Sequence, residues 1–238
     1  MKKIIYFFFI FLQVNFSHAQ IGPIYIELDN SDPLENFNRS IFDFNYVIDE
    51  SVIKPAAVFY RDVSPEFVQD GVSNFFSNLS EVGTMANEVL QLKFDSAFTS
   101  LARFVINSTF GILGVIDVAS DQGLMKTKED LGQTLGYWGV PEGPYIVMPI
   151  LGPTNLRDSL GMVVDSSSNT NLLNNLDTFG AATSYSLNAI DNRSRLLPVT
   201  DMIDRSFDPY TTMKNSYSQK RRYDVYDGNP PVLKNIDF

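Results

Sequence analysis

The chain has 238 residues, 44% of them apolar, with 28 acidic against 18 basic side chains, no cysteine and a single histidine, His18. A formal charge of −10 argues against a nucleic-acid partner and supplies no pull toward anionic headgroups. Beyond His18 there is neither His nor Cys, so the chain there cannot build a Ser-His-Asp or Cys-His nucleophile, a histidine-held metal, a c-type haem or a disulfide; no metal and no cofactor is expected.

Lys2 and Lys3 precede an apolar stretch from Ile4 to Phe16, and Ser17-His18-Ala19 places small residues where a signal peptidase needs them. Residues 1–19 are therefore expected to be a cleaved signal peptide, with Gln20 as the mature terminus, and losing Lys2 and Lys3 takes the formal charge from −10 to −12. A retained anchor is the alternative, but the apolar run falls short of the roughly 20 residues that span a bilayer. Residues 20–31 read as a short leader.

Asp32-Pro33-Leu34-Glu35 combines an N-cap carboxylate, an early proline and a glutamate, which predicts a helix start, and Lys54-Pro55 predicts its end. Leu34, Phe37, Ile41, Phe44 and Ile48 form a stripe, while Phe42, Tyr46 and Val47 lie off it, so the helix is either deeply buried or shared between protein and lipid. Ser64-Pro65-Glu66 predicts a second helix over about 65–80, with a short one over 81–92. From Ser96 to Ile106 two faces separate: Phe98, Leu101 and Val105 against Ser96, Thr99, Ser100, Arg103 and Asn107. The polar row is either a solvated face or the lining of a wet path.

Gly132 to Pro153 has the length of a bilayer span, yet nine of its residues are Gly or Pro, and its large apolar side chains do not suit a solvated loop. Tyr145 to Ile150 is the one plausible strand or hairpin; Asp165 to Asn171 reads as a polar linker. Asp177 to Leu197 and a segment opening at Asp208-Pro209 read as the last helices, the latter ending in Lys220-Arg221-Arg222, a cluster for headgroups or for the helix dipole. Asp201 with Asp204, and Asp224 with Asp227, fit solvated acidic faces better than a calcium site or a catalytic pair.

Asp32-Pro33-Leu34-Glu35, Asn38-Arg39, Phe42, Phe44-Asn45, Asp49 and Lys54-Pro55 together resemble the start of the MlaA family, also called VacJ. The likeness continues through Val72 to Leu79, Asn87 to Gln91, Arg103 to Thr109 with Gly111 and Gly114, and Asp117-Val118-Ala119. It runs on through Gly132 to Gly136, Trp138-Gly139-Val140, Gly143-Pro144-Tyr145, Pro149, Gly152-Pro153, Arg157-Asp158, Asp208-Pro209-Tyr210, Tyr217 and Arg221. The resemblance implies a non-enzymatic component of outer-membrane phospholipid transport: a mostly helical ring in the inner leaflet, pierced by a polar channel and associated with trimeric porins. It would extract phospholipid mislaid in the outer leaflet and pass it to a soluble periplasmic carrier of the MlaC type. Many relatives carry a lipidated cysteine that this sequence lacks, so a non-lipidated variant at the periplasmic face of the outer membrane is expected.

The expected fold is all-α and single-domain over 32–228, a ring-like bundle with a Gly/Pro-rich hairpin segment and a tail over 229–238. Arg103, Asn107, Ser100, Arg39 and Arg157 are candidates to line a lipid passage; Phe37, Ile41, Phe42, Phe44 and Tyr46 are candidates for membrane seating. Tyr137, Trp138, Gly139, Gly143, Pro144 and Tyr145 are candidates for a flexible channel wall. No catalytic residue is expected. The alternatives are a porin-binding scaffold that moves no lipid and a secreted hydrolase working with carboxylates.

Overall fold

The computed structural model describes residues 32–168 and 172–231. In order it runs α1 (Glu35–Ile48), a π-helical turn (Asp49–Ile53), α2 (Lys54–Val63), α3 (Glu66–Leu90), α4 (Phe94–Phe110), α5 (Val118–Asp121) and α6 (Leu131–Tyr137). There follow β1 (Tyr145–Met148), β2 (Gly152–Asn155), α7 (Leu156–Ser167), a 3-10 turn (Leu172–Asn175), α8 (Thr178–Asp204) and α9 (Pro209–Val225). The mostly helical class is as the sequence predicts, and so is the hairpin at Tyr145. The expected signal peptide and leader, and residues 232–238 of the tail, lie outside the described residues. Among the described residues no helix is long and apolar enough to cross a membrane.

Several boundaries differ for physical reasons. The first helix does not stop at Lys54-Pro55, because the π-helical turn lets the chain continue, with Lys54 N–H donating to the Asp49 carbonyl and Pro55 falling in the first turn of α2, where a missing N–H costs little. Asp32 does not cap α1, whose N-terminus has no side-chain cap. Its carboxylate is instead taken by the Asn38 amide at 3.1 Å, the Tyr210 hydroxyl and Lys214. The two helices expected over 65–92 are one, α3, since nothing near Ser80 interrupts the turn and Glu81 is tied inward. Residues 156–167, part of them expected to be linker, form α7, capped by the Asn155 side chain on the Asp158 N–H at 2.8 Å.

The helices pair through polar faces. On α4 the buried side chains are Ala97, Ser100, Arg103 and Asn107, whereas Phe98 is 70% exposed and Leu101 and Val105 also face outward. α3 buries Asn78, Glu81, Thr84, Asn87 and Glu88; α7 buries Arg157, Asp158 and Gly161 and exposes Leu156, Leu160, Val163 and Val164. A water-soluble domain has the opposite arrangement. The apolar core is small: Tyr145, Val147 and Tyr210, flanked by Ile41, Phe42 and Tyr217.

The hairpin is held by α1 rather than by a third strand. Asn38 donates to the Tyr145 carbonyl at 3.0 Å and accepts from Val147 N–H at 2.9 Å. Asn45 donates to the Met148 carbonyl at 2.9 Å and accepts from Ile150 N–H at 2.7 Å. Seven residues of helix rise about 10.5 Å, and three residues of extended chain cover about 10 Å, so Asn38 meets the strand edge while Asn45 meets the strand end and the turn, where Ile150 takes a φ of 67°. An edge that would otherwise offer bare N–H and C=O groups is closed by side chains.

Candidate functional site

A polar seam runs between α3 and α4. Arg103, 1% exposed, donates through Nε to Glu81 at 2.8 Å and through Nη2 to the Asp117 carboxylate at 3.0 and 3.2 Å. Its Nη1 reaches Ser120 Oγ at 3.0 Å and the Leu124 carbonyl at 2.5 Å. Burial pushes the Asp117 carboxyl up, but hydrogen bonds from Ser120, Asn107 and Arg103 outweigh it and hold it at about 2. Burial raises the Glu81 carboxyl despite Arg103, and one Glu81 oxygen has no partner among the described residues. Further along, Asn78 donates to Ser108 Oγ at 2.9 Å, and Thr127 donates to Glu88 at 2.6 Å.

Beside the seam lies a cavity of about 250 Å³ bounded by α3, the N-terminus of α6, the end of α7, the 3-10 turn and α8. Ser80, Gly83, Thr84 and Asn87 of α3 face it, and Lys128, Glu129, Asp130 and Asp165 form its opposite, charged wall. Phe76, Leu79, Leu172 and Leu173 supply an apolar side. The cavity thus combines an ionic wall with greasy edges, the combination an amphiphile needs.

Two neighbouring networks fix that wall. Arg221 of α9 grips Asp130 through two bonds of 2.5 and 2.6 Å and Asp158 at 2.6 Å, and Tyr217 donates to Asp158 at 2.7 Å. Burial works against both carboxylates, yet Arg221 holds each below its ordinary range. A Cβ on Gly132 would lie 2.5 Å from both Arg221 and Asp158, and one on Gly161 would lie 2.5 Å from Gly132 N, so α6 and α7 cross at two glycines. Lys93 meets Glu129 at 3.0 Å and Asp227 at 2.5 Å, while Gln91 donates to Glu129 at 2.8 Å.

The sequence candidates fall into separate places. Ser100, Arg103 and Asn107 are together, but in the seam and not on the cavity wall: Arg103 is in a buried ion pair with Glu81 and Asp117. Arg157 is buried against Asp158 at 3.0 Å. Arg39 lies over the Tyr210 ring at 4.3 Å, clamps Asp208 at 2.8 and 3.1 Å, and borders a second hollow of about 300 Å³ with Phe42 and Tyr46. Phe37, Phe44 and Tyr46 face outward, whereas Ile41 and Phe42 pack against the small core.

In the glycine-rich segment Tyr137 and Trp138 are half-exposed and stack edge-on, and Trp138 Nε1 donates to the Leu90 carbonyl at 3.1 Å. Gly139 and Gly143 take positive φ of 83° and 68°, Pro144 is half-buried, and Tyr145 is buried between Tyr210 and Tyr217. Of the basic cluster, Arg221 is consumed by Asp130 and Asp158, and Lys220 pairs with Asp224 on the surface. Thr84 and Asp130 were not singled out from sequence, Asn87 entered only within the family likeness and Asp165 only as the start of a linker; the signals available were the inward spacing along α3 and the Asn155 to Asp158 cap that starts α7.

The MlaA lipoprotein family model matches residues 30–224. A chain of Escherichia coli, the intermembrane phospholipid transport system lipoprotein MlaA, is 35% identical over 197 residues, covering 81% of this chain and 78% of that one. Its Haemophilus influenzae counterpart is 34% identical with 88% of each chain covered, and an uncharacterized Rickettsia prowazekii protein is 36% identical over 83% of this chain and 79% of its own. A solved structure described as the structural basis for maintenance of bacterial outer membrane lipid asymmetry superposes with a TM-score of 0.73 at 35% identity, covering 84% of this chain and all of that one.

Proposed function

Since the chain belongs to the MlaA family, we propose that it is a passive conduit in phospholipid transport, taking mislocalised phospholipid from the outer leaflet of the outer membrane and so maintaining lipid asymmetry. The observation that carries this reading is the reversed polarity of α3, α4 and α7, whose polar faces turn inward and whose apolar faces turn outward. Such an exterior gains about 25 cal/mol for each Å² it withdraws from water, which favours seating in acyl chains. Phe37, Phe44 and Tyr46 of α1 contribute to that exterior. The ionic wall beside apolar edges in the cavity suits a headgroup that crosses with its chains trailing along greasy surface. No bond is broken in this process. A trimeric porin beside the ring and a soluble carrier of the MlaC type in the periplasm are the partners that the family resemblance implies.

Ser80→Trp tests the reading. Ser80 is an exposed residue on the cavity border, so an indole there fills the space without burying a charge. In a strain whose own copy is deleted, the wild-type chain should restore normal outer-leaflet phospholipid, and the variant should fold and reach the membrane yet leave phospholipid accumulated. Full clearance by the variant would move the passage elsewhere.

A further inference from the structure

The cavity wall is not electrostatically neutral in detail. Asp130 is matched by Arg221 and Glu129 by Lys93. Asp165 has no such partner among the described residues: its Oδ2 accepts the Leu131 N–H at 2.8 Å, and no cation pairs with it. Burial and the neighbouring Asp130 raise its carboxyl, against the lowering pull of Leu131 N–H, Asn87 and Arg221. Lys128 stands on the same wall, exposed and in no ion pair among the described residues. Opposite them Thr84 is 3% exposed and borders the cavity, its hydroxyl in no hydrogen bond among the described residues. A hydroxyl on the cavity border can donate to a ligand oxygen.

From this juxtaposition we infer that the cavity selects phospholipids whose headgroup carries an ammonium beside its phosphate, Asp165 receiving the ammonium, Lys128 the phosphate and Thr84 a headgroup oxygen. The inference rests on the conduit reading above and adds the substrate class. A zwitterion pairs both free charges of the wall, whereas an anionic headgroup satisfies Lys128 only and brings a second negative charge toward Asp165, Asp130 and Glu129. Discrimination therefore comes from repulsion as well as attraction.

The full chain in detergent is offered equimolar phosphatidylethanolamine and phosphatidylglycerol with identical acyl chains, with a divalent-cation chelator present or replaced by magnesium, and retained lipid is read by mass spectrometry. Wild type should retain the amine lipid about tenfold over the anionic one, the ratio a single satisfied charge can supply. Asp165→Asn keeps a carbonyl oxygen for Leu131 N–H, so the fold should stand and the ratio should fall to about one. Thr84→Val, close in shape, should lower retention of the amine lipid severalfold at unchanged helicity, which covers the case in which Asp165→Asn does not fold. Equal retention by wild type, or a preference that survives Asp165→Asn, overturns the inference and leaves the conduit reading standing. Anionic lipid retained only with magnesium also overturns it, because the wall would then be a cation site. Retention of neither lipid overturns both.

Discussion

Arg103→Leu gives a sharp test of the polar interior. The substitution preserves helix propensity but takes the guanidinium away from Glu81, whose side chain is 1% exposed and which already has one oxygen without a partner. Breaking a buried pair on one side costs about 3–5 kcal/mol, a large share of the roughly 5–15 kcal/mol that holds a domain together. Removing both partners, Glu81→Leu with Arg103→Leu, should recover about half or more of that loss, because an apolar pair can replace a buried ion pair at little cost. Recovery is incomplete, since Asp117 also loses its cation; it is 28% exposed and keeps Ser120 and Asn107. The measurement is denaturant unfolding in detergent, followed by circular dichroism and the single tryptophan, Trp138.

pH adds an independent check on the same variant. Burial raises the Glu81 carboxyl and Arg103 opposes the rise, so the leucine variant has a folded-state value higher still. A carboxyl raised on folding stabilises below its unfolded value and loses that contribution as pH rises through the folded value. The single variant should therefore regain stability on acidification from neutrality toward about pH 5. A single variant within about 1 kcal/mol of wild type, or one that weakens between neutrality and about pH 5, refutes the view that this ion pair is the structural centre of the seam.

Asn38→Ala should cost at least about 2 kcal/mol, because it leaves both Tyr145 C=O and Val147 N–H without partners in a buried place. Asn45→Ala, nearer solvent, should cost less; amide exchange at Val147 and Ile150 reads the two sites separately, and equal small effects would mean the hairpin stands alone. Phe37→Ser with Phe44→Ser should release the protein from membranes under carbonate washing while its melting temperature barely moves, since both rings face outward. Phe42→Ser should do the reverse because Phe42 packs edge-on against Tyr210 at 5.8 Å, and similar behaviour of the two variants would sink the distinction.

Much of the architecture was legible where side chains act locally. Asp177 and Asp208 cap α8 and α9 through the N–H groups of Gly180 and Thr211, and the apolar run at Tyr145 is a strand. The two faces of α4 could also be separated from spacing alone. Periodicity does not tell which stripe points inward, however, because that depends on whether the surroundings are water or acyl chains. Reading Arg103 as a lining cation was open for this reason, and the Glu81 partner, 22 residues away on another helix, left no local trace. The cavity was illegible for a related reason. Asp165 ends a helix whose serine-rich tail resembles linker, and Thr84 is an ordinary residue until α8 and the 3-10 turn close over it.

The matched spacing of Asn38 and Asn45 against β1 constrains how the gene can change. One residue inserted between them would swing the second amide by about 100° around the helix axis and carry it about 1.5 Å along, away from Met148 and Ile150. One residue inserted between the two contact points of the hairpin would carry the second pair of groups about 3.3 Å away from the Asn45 amide while Asn38 keeps its own. Length in these two short stretches is therefore coupled. Relatives that keep the clamp should align across residues 38–45 and 145–150 without gaps even where side chains between the contact points drift, and a compensated change would need a whole helical repeat against a matching run of strand.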